Sequence, residues 1–568
     1  MAIITNDTPA AIALVGARKA RGNLTKARIR WVILGLILIF GIVCGRLIQL
    51  GAFVADPTIE GQARDIISAT RPAILDRNGM EMAVDIRVPS LFAEPRRIID
   101  VDEAVEKLTQ VLPDLDRNSL RQKLSGDQGF VWIKRELTPA LEEKVMRLGI
   151  PGLDFLTESK RFYPGGPEAS HVLGAVNIDN QGIAGIEKSM DNEDVALLQS
   201  VGLARGQALT PVNLSIDMRV QHAMRDQLED ALTRYRAVAA AGVMMDIKTG
   251  EILGLVSLPD FDPNDPGSAL KDGRFNRITA GKYELGSTMK TVTFAAALDS
   301  GAVKLSDSFD ARFGVRFGRF TIDDFHGQHR ILSVPEIYKY SSNIGTIHIM
   351  QTLGKENFRN FLTRIGFDDE LVTELPERTT TTVPKKFSDV VAATASFGHG
   401  ISVTPMHMLA AVSAFVNDGN YVPPTFYKRS PEDAEKLYKR LISPQTSLEI
   451  RELMRLNALE GSGSRMNMYA DGFRVGGKTG TAEKVVNGQY SNKDFNVFAS
   501  AFPLDNPRYA MVILVDEPHA ENAQRGTTAG WNAGEVTGKI IARVAPMLGI
   551  APNFDDSIDE KLVPSAIR

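Results

Sequence analysis

The sequence predicts an α+β protein of several domains behind a single N-terminal membrane-spanning helix. Three features carry this expectation: a length of 568 residues, an apolar run close to the N-terminus, and strand-like and helix-like patterns that alternate after it. At roughly 150 residues per domain, the chain should hold about two to four domains and not one compact core. Its composition is that of a globular protein, 43% hydrophobic and 24% charged, and 65 Lys plus Arg against 69 Asp plus Glu give a net charge of −4. That balance disfavours a disordered chain and a nucleic-acid binder that relies on overall basic charge. Cys44 is the single cysteine, so neither an intramolecular disulfide nor a cysteine-based zinc or iron–sulfur site can be built.

Residues 31–45 carry no charged side chain, and beyond Arg46 the apolar character continues through Leu47, Ile48, Leu50, Ala52, Phe53 and Val54. The stretch 31–54 is long enough to cross about 30 Å of hydrocarbon, with Arg46 near its outer end where the side chain can snorkel. Ahead of it, Arg18, Lys19, Arg21, Lys26, Arg28 and Arg30 face Asp7 alone, which keeps the tail 1–30 in the cytoplasm. A cleaved signal peptide is disfavoured because Phe53 stands two residues before Ala55, and a lipid-anchored cysteine because Val43 precedes Cys44. An uncleaved signal anchor is expected, with residues from about 55 onward outside the cytoplasm.

Residues 55–220 read as an irregular α+β module with turns at Asp76–Gly79 and Tyr163–Gly166. Asp217 is a plausible N-cap for an amphipathic helix with Val220, Met224, Leu228 and Leu232 at i+4 spacing, which opens a second unit over 221–551. Two strands flank Lys248-Thr249-Gly250 in a tight turn, FNVFASAF and YAMVILVD are two more, and a helix is expected from about 533 to 547. Residues 552–568 are polar and read as a loose tail.

Ser287 and Lys290 lie three apart at the start of a nearly apolar helix closed by Gly301, so the two side chains can meet. A serine hydroxyl becomes a nucleophile when a base takes its proton, and a lysine can be that base only where burial, a nearby cation or a helix N-terminus disfavours its charge. Ser-x-x-Lys alone is a weak pattern: Ser268 and Lys271 repeat it, in a Pro- and Gly-rich stretch without room for a buried helix. Further on, Ser341-Ser342-Asn343 opens another apolar helix and can aim a hydroxyl and an amide into a shared cleft. Capping explains both residue types equally well when they stand alone. Lys478-Thr479-Gly480-Thr481 follows in strand-like sequence, where alternation puts Lys478 and Gly480 on one face and Thr479 and Thr481 on the other, and where Gly480 would admit a substrate backbone.

These three motifs in this order form a constellation used by serine β-lactamases and penicillin-binding proteins. The chain resembles class B penicillin-binding proteins, more closely their septal, cell-division branch of peptidoglycan D,D-transpeptidases. The likeness extends to Arg71 through Gly79, with Pro72 where glycine is usual; to Arg161–Pro164 and Gly185-Ile186-Glu187; and to Phe261–Asn264, Asn276-Arg277 and the segment from Gly398. Leu285, where proline is usual, and Gly530–Glu535 depart from the family pattern and leave the cleft rim open.

The resemblance implies an elongated non-catalytic pedestal carrying a transpeptidase domain with a mostly antiparallel sheet flanked by helices. It implies Ser287 as nucleophile, Lys290 as its base, Ser341 as proton relay assisted by Lys478, and Asn343 holding the amide of a peptide stem. Thr479 and Thr481, with Gly480 between them, would bind the terminal carboxylate, and the backbone N–H groups of Ser287 and Thr481 would form the oxyanion hole. No metal or cofactor is implied, and His326 and His329 read as loop residues. The implied substrates are stems ending in D-Ala-D-Ala, with β-lactams as inhibitors; the implied partners are a membrane glycosyltransferase and division-complex proteins. A β-lactamase or D,D-carboxypeptidase, an elongation-type transpeptidase and a non-catalytic division scaffold are the competing readings.

Overall fold

A computed structural model describes residues 31, 33–44, 70–192, 210–486 and 489–564. Residues 33–44 are helical and largely exposed, and among the described residues no helix is long and apolar enough to cross a membrane. The basic tail and residues 45–54 of the expected span lie outside the described residues.

The chain divides into two compact units. Apart from residues 31 and 33–44, the described part of the smaller unit is Val88–Glu158. Helices α1 (Val101–Val111), α2 (Arg117–Leu124) and α3 (Pro139–Met146) start at Asp100, Asp116 and Thr138, whose side chains accept backbone N–H groups of the first turn. Their apolar faces close a small core around Leu91, Leu108, Leu120, Ile133 and Val145.

The larger unit takes in residues 68–87 and everything from Ser159 onward. Its centre is a five-stranded antiparallel sheet built from β1 (Ala239–Asp246), β2 (Ile252–Leu258), β3 (Gly476–Val486), β4 (Gln489–Phe502) and β5 (Tyr509–Asp516), in the order β3-β4-β5-β1-β2. Every residue of β1, β2 and β5 is buried. Helices cover both faces of these strands, which is why their sequences run apolar instead of alternating. On one face α4 (Met218–Arg234), capped by Asp217, packs with α5 (Ala533–Met547) through Val220, Met224, Leu228, Ile540 and Val544. The other face buries α6 (Met289–Asp299), α7 (Asn343–Leu353) and α8 (Pro405–Val416) in the main core.

The N-terminal segments of this unit are locked by charge. Glu187, fully buried, accepts from Arg71 at 2.7 Å and from Arg161 at 2.6 Å, while Arg161 also reaches Asp85 at 3.0 Å. The expected loose tail is instead docked: Asp556–Leu562 is helical, Val563 is buried, and Asp559 pairs with the buried Arg455 at 2.6 Å. Sequence polarity there serves ion pairing across an interface.

Candidate active site

Ser287 sits on a single 3-10 turn, Gly286–Thr288, that leads straight into α6. Gly286 has φ +52° and its α-carbon faces Thr481: a side chain there would come within 2.8 Å of the Thr481 carbonyl. Gly480 meets the same turn from β3, where a β-carbon would fall 2.3 Å from the Leu285 carbonyl. The sequence suggested that Gly480 admits substrate backbone. Its missing side chain instead lets β3 lie against the turn that carries the serine. Leu285, the departure from the family pattern, is buried there and its carbonyl accepts the Thr288 hydroxyl at 2.8 Å.

Lys290 is completely buried, and its Nζ lies within hydrogen-bond distance of Ser287 Oγ at 3.0 Å, Ser341 Oγ at 3.0 Å, the Ser341 carbonyl at 2.6 Å and Asn343 Oδ1 at 2.7 Å. Burial first, and the neighbouring Lys478 ammonium second, hold Lys290 well below the ordinary lysine range. Lys478, equally buried, reaches Ser341 Oγ from the other side at 3.1 Å, and burial brings it down to about 7. Ser341 thus bridges the two amines. It stands in the left-handed region at φ 58°, just after the helix Val334–Tyr340, and Ser342 begins the next one by accepting the Gly345 N–H at 3.0 Å. A β-carbon disfavours that conformation, so the tight break between two helices holds Ser341 in a strained position.

The remaining expected residues are close by and already engaged. Asn343 Nδ2 donates to the Asp323 carbonyl at 3.3 Å, Thr479 Oγ1 is 2.6 Å from Ser462 Oγ, and Thr481 Oγ1 accepts the Ala529 N–H at 3.1 Å. Among the described residues β3 is an edge strand, so its outer edge has no ladder partner there, and such N–H groups can pair with an added strand. The two decoys fall elsewhere. Ser268 hydrogen-bonds the Asp265 carbonyl at 2.7 Å within its own turn, and Lys248-Thr249-Gly250 makes the turn between β1 and β2. His326 and His329 lie in a loop.

Sequence reasoning missed Asp324. Its carboxylate accepts the Ser342 hydroxyl at 2.7 Å, the Asn343 N–H, and the Ile344 N–H at 2.9 Å, so it caps α7 and fixes the Ser-x-Asn motif. It also opposes Lys478 by favouring charge on Lys290. No spacing betrays this residue, because it reaches the motif only through a fold-back of the chain. Glu535, in the other departure from the family pattern, is a buried carboxylate holding Arg234 at 2.9 Å, Arg525 at 2.7 Å and Lys539 at 2.9 Å.

A half-buried hydroxyl hydrogen-bonded to a buried lysine of lowered pKa, with a second hydroxyl relaying to a second amine, can carry out serine acyl transfer. Comparison with known proteins narrows the class. The penicillin binding protein transpeptidase domain matches residues 240–541, and the penicillin-binding protein dimerisation domain matches 66–196. The chain is 35% identical over 493 residues to a Caulobacter vibrioides protein named "Probable peptidoglycan D,D-transpeptidase FtsI", a match covering 85% of this chain and 82% of that one. It is 27% identical to "Peptidoglycan D,D-transpeptidase FtsI" of Escherichia coli K12, covering 89% and 90% of the two. Penicillin-binding protein 3 of Mycobacterium tuberculosis, solved with aztreonam, shares the fold at a TM-score of 0.65 and 23% identity, over 85% of this chain and 97% of that one. The chain therefore belongs to the penicillin-binding proteins that join a dimerisation domain to a transpeptidase domain.

Proposed function

We infer that this protein is a peptidoglycan D,D-transpeptidase that cross-links wall stems during septum synthesis. The observation that carries the reading is the position of Lys290 Nζ, within hydrogen-bond reach of both Ser287 Oγ and Ser341 Oγ in a site that disfavours its charge. Neutral Lys290 takes the Ser287 proton as the oxygen attacks the penultimate carbonyl of a stem ending in D-Ala-D-Ala. The N–H groups of Ser287 and Thr481 hold the developing oxyanion, an interaction typically worth about 3 kcal/mol per donor. Ser341 passes a proton to the departing D-Ala amine, with Lys478 behind it, and a stem amine then replaces the serine on the acyl carbon. Asn343 holds the stem amide, and Thr479 and Thr481, flanking Gly480, bind the terminal carboxylate after exchanging their present partners.

The same reading makes 31–54 a signal anchor in the inner membrane, 55–220 a pedestal and 221–551 the catalytic domain, at the division site. The partners are a separate glycosyltransferase and division-complex proteins, and β-lactams acylate Ser287. The test is intact-protein mass spectrometry after incubation with a penicillin. One stable adduct is expected, lost in Ser287→Ala and kept in Ser268→Ala. Rapid hydrolysis of the drug without an adduct would mean a β-lactamase instead.

A further inference from the structure

We propose that the segment from Arg312 to Ile331, a hairpin with its flanking loops beside the serine cleft, is a docking surface for the wall polymer, a glycan whose peptide stems carry carboxylates. This rests on the transpeptidase reading and adds to it the surface that holds the strand while one stem reacts. Phe313, Phe320 and Phe325 are 75%, 61% and 78% exposed. Among the described residues outside the N-terminal apolar helix, Phe554 is the only other phenylalanine so open to water. Exposed aromatic side chains at this density mark a binding surface.

The exposure is not a failure to pack. Strands Val315–Phe317 and Phe320–Ile322 pair antiparallel, and Val315, Phe317 and Ile322 rest on the main core. The hairpin is therefore anchored by one face and offers its tip and flanks to solvent. Arginines accompany the rings: Arg312 lies 5.8 Å from the Phe313 ring centre and Arg319 lies 5.3 Å from that of Phe320. Arg312 and Arg330 already hold Asp310 and Glu336, whereas Arg316 and Arg319 have no carboxylate partner among the described residues. From 312 to 331 there are four arginines and two aspartates, and Asp324 is committed to α7.

Continuity with the cleft comes from the next residues of the chain. The Asp323 carbonyl accepts from Asn343, and Asp324 holds Ser342 and the start of α7. A strand lying on the hairpin is thereby kept in register with the Ser-x-Asn motif. Guanidinium groups take up carboxylates through paired hydrogen bonds. Aromatic faces pack against the C–H faces of sugar rings. A polymer that carries both groups fits a surface that carries both complements.

The experiment pellets the full chain, held in detergent, with insoluble peptidoglycan sacculi stripped of protein, at low and at high salt. The wild type should co-sediment, less so at high salt because the guanidinium contacts are screened. A variant carrying Arg316→Glu, Arg319→Glu, Phe320→Ser and Phe325→Ser should bind at least about tenfold more weakly, while penicillin acylates it at the wild-type rate. Should that variant fail to fold, the pair Arg319→Ala and Phe320→Ala carries the same test. Sedimentation of the variant equal to wild type overturns the proposal. A loss seen only with sacculi that retain attached proteins also overturns it, since the surface would then bind a protein. Failure of the wild type to be acylated would strike the functional reading instead, because sedimentation reads docking without chemistry.

Discussion

Lys478 and Lys290 show how one buried charge sets the state of another. In the unfolded chain Lys478 keeps its proton up to about the ordinary value of 10.5, and in the folded chain only to about 7. Between those values the unfolded state binds more protons, so stability rises with pH across this window and the penalty is complete below about 7. Lys478→Met should therefore stabilise the protein near pH 6 by about 5 kcal/mol, offset by about 1 kcal/mol for the lost hydrogen bond to Ser341. The gain should vanish as the pH approaches the ordinary lysine value, and thermal melts at several pH values measure it. The same substitution removes the cation that adds to burial in disfavouring charge on Lys290, so the acid limb of penicillin acylation should move to higher pH. An unmoved limb would mean that burial alone controls Lys290. Asp324→Ala should cost about 1–3 kcal/mol by leaving the Ser342 and Asn343 donors without a partner, and should slow acylation. Denaturation midpoints and acylation rates check the two effects.

At the scale of elements, the site depends on how closely β3 and the Ser287 turn approach. Gly480 and Gly286 are where they touch, and neither has room for a side chain. Gly480→Ala must push the strand away from the turn. Because a displacement of about 1 Å costs on the order of a hundredfold in rate, acylation should fall by about that factor while the fold, followed by circular dichroism, persists. An alanine variant that reacts at the wild-type rate would show that the two elements can separate without harm. Ser341 belongs to this scale as well, since its left-handed conformation exists only because two helices meet at that residue.

For the molecule as a whole, charge buried between distant segments holds the larger unit together. Glu187 binds two guanidinium groups, Arg71 and Arg161, from segments far apart in sequence. Glu187→Ala would strip each of one buried carboxylate while Arg161 keeps Asp85 and Arg71 keeps Asp191, at a cost of about 1–3 kcal/mol for the donors left without an acceptor. Truncation after residue 552 would do the same to Arg455, whose partner Asp559 lies on the docked C-terminal helix. Each should lower the melting temperature of the larger unit, and a melt unchanged by truncation would show that the helix merely rests on the surface.

Much of this was legible in the sequence, and the reason is local. The strands within 242–258 and 495–516, the helix at 533–547 and the Asp217 cap follow from patterns within a few residues, because burial on both faces forces continuous apolar runs. The residues that the fold gathers into the candidate site were legible too, since Ser287, Lys290, Ser341, Asn343 and Lys478 are chemically distinctive and ordered along the chain. What only the tertiary structure decided concerns groups whose partners come from elsewhere. Asp324 is an unremarked loop acid until the chain folds back onto α7, Gly480 turns its bare face to Leu285, and the polar C-terminus pairs with Arg455. Periodicity and spacing report what a segment does to itself. Charge pairing and close approach between segments distant in sequence are fixed by packing, and leave no local mark.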